Sequence, residues 1–129
     1  MSVSPTSFAR ALAKAALPAA RLGLDDPDPG YLQNGAVYVQ LYVVDGERDR
    51  REQRPEVDFA VYSRRFLDTE AAALALEDFL VRYPARVQVG EKPAVLDRTA
   101  VVTATREVPW ETDDTVTRFI GSYQLATRS

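Results

Sequence analysis

The sequence predicts one α+β domain spanning residues 1–129, an antiparallel sheet of two β-hairpins with an N-terminal helix and a central helix packed on one face. Three observations carry this prediction. A length of 129 residues, 46% apolar and 27% charged, suits one core of ordinary composition. Four segments alternate apolar and polar residues with the period of a half-buried strand, and they fall in two consecutive pairs. Two further segments, one ahead of the first pair and one between the pairs, repeat apolar residues at helical spacing.

The first helix is set by Ser4, a capping residue, and Pro5, which suits a first helical turn. Phe8, Leu12, Ala15, Ala19 and Leu22 then recur along one face, and Pro18 is expected to end or kink the helix. The same stretch is free of acids and imitates a targeting peptide. Lys14 interrupts its apolar core, however, and a structural helix explains the letters better. No apolar run approaches the roughly 20 residues of a bilayer span, so a soluble chain is expected.

Asp25-Asp26-Pro27-Asp28-Pro29-Gly30 reads as a loop, because two prolines and a glycine disfavour regular structure. Its carboxylates imitate a calcium loop, but Gly30 comes one place early and Val37 stands where a bidentate glutamate is needed. Residues 36–44 form the first strand, with Val37, Val39, Leu41 and Val43 on one face. A mixed-charge connection, Glu47 to Arg54, follows and ends at Pro55; Val57, Phe59 and Val61 then bring a second strand back beside the first.

Asp68 is expected to cap a helix over residues 69–83, whose stripe is Ala72, Leu76, Phe79, Leu80 and Tyr83. Residues 85–97 read mostly as loop with room for a short edge strand. Residues 98–108 alternate as a third strand, an acidic turn occupies 109–114, and 116–126 form the last strand with Phe119, Gly121, Tyr123 and Leu125 on one face.

Much chemistry is excluded by composition. With no histidine and no cysteine, the chain lacks an imidazole base, a thiolate, a His/Cys metal site and a disulfide. Its six glycines never cluster into a phosphate cradle, and the local density of Glu107, Glu111, Asp113 and Asp114 is better explained as a solvated turn than as a carboxylate pair in a sugar cleft. No catalytic residue, metal or cofactor is therefore expected. The net charge of −3 also argues against nucleic acid as a bulk partner. Charge is uneven: residues 1–24 carry +3 and the remainder −6.

The candidate functional residues are accordingly interface residues. Arg48, Arg50, Arg51 and Arg54 stud the connection between the first two strands, which is either a solvated tip or an arm ordered against another subunit. Trp110 stands in a turn beside Glu111, Asp113 and Asp114, and either packs over its own hairpin or anchors an interface. Tyr31 has the same two readings. Arg118 pairs with an acid either across the sheet or across a subunit boundary.

Taken along its whole length, the chain resembles the tail terminator proteins of long-tailed bacteriophages, also called tail completion or minor tail proteins. The matching features are the small acidic size, the N-terminal helix, the long hairpin from Val37 to Tyr62 with its charged tip, and the helix from Thr69. The ending matches as well, with an acidic proline-containing turn and a final strand Thr117-Arg118-Phe119-Ile120-Gly121-Ser122-Tyr123-Gln124-Leu125 close to the terminus.

The resemblance implies a non-catalytic virion protein assembled in the host cytoplasm. It implies a homohexameric ring that caps the head-proximal end of the tail tube, stops tube polymerisation and meets a neck or head-completion protein, while DNA passes through the pore without specific binding. Other readings are a head-side neck connector or stopper, which would form a similar ring, and, from a different class, a bacterial secretion chaperone or adaptor.

Overall fold

The computed structural model describes residues 4–48, 53–82 and 84–128. It has a mixed α/β fold with two α-helices and a six-stranded curled sheet in the order β1-β2-β3-β6-β5-β4. Helix α1 (Pro5–Ala16) begins where Ser4 accepts the Ser7 N–H with Oγ, and it ends ahead of Pro18 with Leu17 as its last cap. Ala19 and Leu22, expected on its apolar face, lie beyond that end. The chain extends instead into β1 (Arg21–Gly23), which lies parallel to the start of β2 (Tyr38–Arg48).

The segment from Asp25 is irregular only as far as Asp28. Asp28 accepts the Gly30 N–H, and with Pro29 supplying a fixed φ the chain enters a 3-10 run, Pro29–Gly35, which takes in the last two residues of the expected loop. Strand β2 then pairs antiparallel with β3 (Gln53–Ser63), and β3 with β6 (Thr117–Arg128). Both strands of the first pair run further into the charged connection than the sequence predicts, with a register shift between Val44 and Glu47, so the segment outside the ladder is shorter than 47–54. Arg54 stands opposite Glu47 in that ladder. Arg50 and Arg51 lie outside the described residues, as does the side chain of Arg48.

Helix α2 (Phe66–Val81) starts earlier than expected. Arg65, not Asp68, is its cap residue and makes no side-chain cap bond, while Asp68 sits in the first turn, 4.0 Å from the Arg65 guanidinium. Ser63 and Thr69 instead tie the strand to the helix: their hydroxyls are 2.6 Å apart, and Thr69 Oγ1 donates to the Arg65 carbonyl. Tyr83, expected to close the helix stripe, lies outside the described residues. The segment read mostly as loop forms β4 (Ala85–Val89) and the beginning of β5 (Lys92–Glu107), joined by a tight turn in which Gly90 takes φ +62°. Pro93 is tolerated there because β6 does not reach it; the β5–β6 ladder begins at Val95 opposite Arg128.

Both helices lie on one face. Phe8, Leu12 and Ala13 of α1 and Ala73, Leu76 and Leu80 of α2 form one core with Val39, Leu41, Val57, Phe59, Leu96, Tyr123 and Leu125. Each of these large apolar side chains stabilises the fold by about 1.5–3 kcal/mol when fully buried. Gly121 is required under Tyr123, whose ring lies where a Cβ would project. A second, smaller core occupies the opposite face, where Leu32, Tyr38, Ala60, Tyr62, Trp110 and Val116 meet.

Candidate assembly surfaces

The second core organises one end of the molecule. Tyr31, Tyr38, Tyr62 and Trp110 form a series of edge-on ring contacts with centroids 6.4, 6.2 and 5.1 Å apart, and the Arg21 guanidinium lies 4.9 Å over the Tyr31 ring. Every hydroxyl with a partner here faces an acceptor: Tyr38 donates to the Asp25 carbonyl at 2.8 Å, and Tyr62 to Gln40 Oε1 at 2.6 Å. Gln40 Nε2 in turn donates to the Leu24 carbonyl and the Asp26 carboxylate. Burial pushes both tyrosine hydroxyls above their ordinary pKa.

Trp110, expected either over its own hairpin or at an interface, is 5% exposed and lies against Tyr62. Its bulk is spent inside its own chain, and the exposed acids of its turn are Glu111 and Asp114. Asp113 is partly covered and accepts the Thr115 hydroxyl at 2.7 Å and the Thr115 N–H at 2.9 Å. Those bonds, with the Arg64 guanidinium 3.3 Å away, hold its carboxyl below the usual carboxylate range. Among the described residues Arg118 has no carboxylate partner. It donates to the carbonyls of Val108 and Pro109 at 3.1 and 2.7 Å and so fixes the turn that carries Trp110.

Two residues outside the sequence-derived candidates organise the surfaces. Arg64, just after β3, donates to Asp113, Thr115 and the Pro29 carbonyl, and so joins the acidic turn 111–114 to the start of the 3-10 run; its Nε is buried with no partner. Glu77 on α2 accepts the Thr105 N–H at 3.0 Å and the Tyr123 hydroxyl at 2.9 Å. Burial first, and then that carboxylate, push the Tyr123 hydroxyl far up. Neither residue belongs to a local motif: their partners lie 35 to 51 and 28 to 46 positions away.

Open surfaces among the described residues include a helix face, a cavity and a groove. The outer face of α2 carries an apolar stripe, with Leu67 and Leu74 about two helical turns apart and 73% and 50% exposed, and Ala71 and Ala75 exposed between and beside them, bounded by the exposed Asp68 and Asp78. An apolar cavity of about 350 Å³ opens between the end of α1, Gly35–Val37 and Ala72. A larger groove, of about 570 Å³, runs between α1 and β4 and is lined by Arg10, Lys14 and Arg86 with no acid. Among the described residues no group of three His, Cys, Asp or Glu could hold a metal ion, and no helix is long and apolar enough to cross a membrane.

No family model and no curated protein matches the sequence. Among solved structures, a chain of the virion of a native gene transfer agent (GTA) particle is similar at 19% identity with a TM-score of 0.56, covering 92% of this chain and 86% of that one. Another solved chain is similar at 18% identity and a TM-score of 0.48 over 96% of each. The likeness to the gene transfer agent chain shows that the two share a fold over nearly their whole lengths.

Proposed function

We propose that this chain is a structural virion protein, a ring that caps the head-proximal end of a phage-type tail tube, ends tube polymerisation and joins the tail to the neck. The observation that carries this reading is the end-to-end fold shared with a virion chain, 92% of this chain against 86% of that one. The surfaces support it. A helix face that leaves Leu67 and Leu74 in solvent calls for a macromolecular cover, and the groove and cavity are open sites whose linings carry no carboxylate.

The mechanism is geometric. One face of the ring copies the acceptor surface of the tube, while the other withholds the edge that the next tube ring needs. The hairpin arm around 45–56 and the turn 109–115 are the segments that meet neighbouring subunits or the tube. Exposed carboxylates at Asp25, Asp26, Glu111 and Asp114 give passing DNA no phosphate contact.

The test is a null allele in cells that make the particle, examined by electron microscopy of the tails. Tubes of uncontrolled length without heads are expected. Tails of normal length with empty or leaking heads would instead place the protein on the head side of the neck, as a connector or stopper. Deleting residues 47–54 is expected to weaken ring formation or tube binding, and full retention of both removes the arm from the mechanism.

A further inference from the structure

The groove between α1 and β4 has a matching surface on the same molecule. Its cations come from two elements, Arg10 and Lys14 from α1 and Arg86 from β4, with Ala11, Ala15 and Val87 as the apolar lining between them. None of the three cations has an ion-pair partner among the described residues. Strand β4 closes one edge of the sheet, and among the described residues it pairs with β5 alone.

The loop 24–28 follows β1, the strand at the other edge. It presents Asp25, Asp26 and Asp28 exposed, beside Leu24 at 57% exposure. Tyr38 and Gln40 grip its backbone carbonyls, and Pro27 and Pro29 restrict it, so it is ordered before it meets anything. Three cations without an ion-pair partner among the described residues thus flank an apolar lining between α1 and β4, and three carboxylates stand beside an exposed leucine in the loop that follows β1, a strand that α1 also contacts.

We infer that the groove receives the loop 24–28 of a second copy of this chain, with Arg10, Lys14 and Arg86 meeting its aspartates and Leu24 seated against Ala11, Ala15 and Val87. Each copy offers one groove and one loop, so a contact that repeats head to tail builds a ring, whereas reciprocal exchange of the two loops would stop at a dimer; the ring reading selects the first. The inference deepens the ring reading and rests on it for closure, whereas the contact itself needs only self-association. A nucleic acid is the poorer occupant. Three cations on a chain of net charge −3 give phosphates a weak hold, and the apolar lining has no use for them.

The chain contains no cysteine, so the contact can be trapped. Leu24→Cys/Ala11→Cys in one chain, mildly oxidised, is expected to give a ladder of dimer, trimer and larger products, while each single variant stops at dimer. In parallel, Arg10→Glu/Arg86→Glu and Asp25→Lys/Asp26→Lys are compared with the unaltered chain by sedimentation over about a hundredfold concentration range. Each is expected to associate at least about tenfold more weakly, and an equimolar mixture to recover association, since each reversed surface then finds its opposite.

An unaltered chain that stays monomeric throughout, a double-cysteine variant that gives no more than the single variants, or charge reversals without effect would each overturn the contact. Binding of a DNA duplex that is lost in Arg10→Glu/Arg86→Glu, with self-association unchanged, would overturn it in favour of nucleic acid. A ladder from a protein that is absent from tails keeps the contact and removes the terminator role; presence at the tail end without a ladder does the reverse.

Discussion

Trp110→Ala is expected to destabilise the fold rather than to disable a contact with another molecule. The indole is 5% exposed, its ring meets Tyr62 edge-on at 5.1 Å and 71°, and it shares its cluster with Leu32, Tyr38 and Val116. A buried tryptophan covers about 150–250 Å², which at about 25 cal/mol per Å² is a gross stabilisation of about 4–6 kcal/mol. Partial collapse of the turn and the compactness of the unfolded chain reduce the expected loss to about 3–5 kcal/mol.

Against a total stability of about 5–15 kcal/mol this is a large fraction. With a urea slope of about 1–3 kcal/mol per molar, the unfolding midpoint followed by far-UV circular dichroism should fall by about 1 M or more. Trp110→Phe, which keeps an edge-on ring against Tyr62, should lose less than half as much. A Trp110→Ala protein with an unchanged midpoint that no longer binds its partners would refute the reasoning and return this residue to an interface.

Glu77→Ala leaves the Tyr123 hydroxyl and the Thr105 N–H without their acceptor and should cost about 1–3 kcal/mol in urea unfolding, whereas Glu77→Gln, which keeps an oxygen there, should cost less; equal losses would remove those bonds from the account. Arg64→Met removes the link from Asp113 and Thr115 to the Pro29 carbonyl, so amide exchange should quicken over 29–35 and 111–116 and nowhere else; unchanged protection there would contradict the link.

The buried tyrosines set an alkaline limit. Tyr38, Tyr62 and Tyr123 hold their protons above the ordinary tyrosine value of about 10, so the stability they contribute is complete below that pH and lost as pH rises through their folded values. A spectrophotometric titration should show a delayed fraction of phenol ionising together with loss of far-UV dichroism, reduced in Tyr123→Phe; ionisation of every tyrosine near pH 10 with the fold intact would contradict it.

Where the signal is local, the sequence and the structure agree. Ser4, Pro5 and Pro18 bound α1 within a few positions, and the alternation Phe119, Gly121, Tyr123, Leu125 marks the buried face of β6. What escaped the sequence depends on distant partners. Arg21–Gly23 is a strand only because Tyr38–Gln40 lies beside it, and the short edge strand for which the sequence leaves room, Ala85–Val89, is paired along more of its length than its letters show because Lys92–Leu96 returns along it.

The same limit applies to the candidate residues. Trp110 in a turn gives no local sign of whether Tyr62, 48 positions earlier, will cover it, and within this chain Arg118 donates to backbone carbonyls that no pattern of charges announces. Arg64 follows a strand and Glu77 is one of four acids in its helix, so neither stands out until the elements they join are folded together.

The most direct test of the central claim is to tag the chain in cells that make the particle, recover what it retains and image the labelled tails by electron microscopy. The account predicts that the abundant tube subunit is retained and that label decorates one end of the tail, the end nearest the head, as a ring. Retention of head-side proteins without the tube, or of a single bacterial effector with no particle at all, would contradict it.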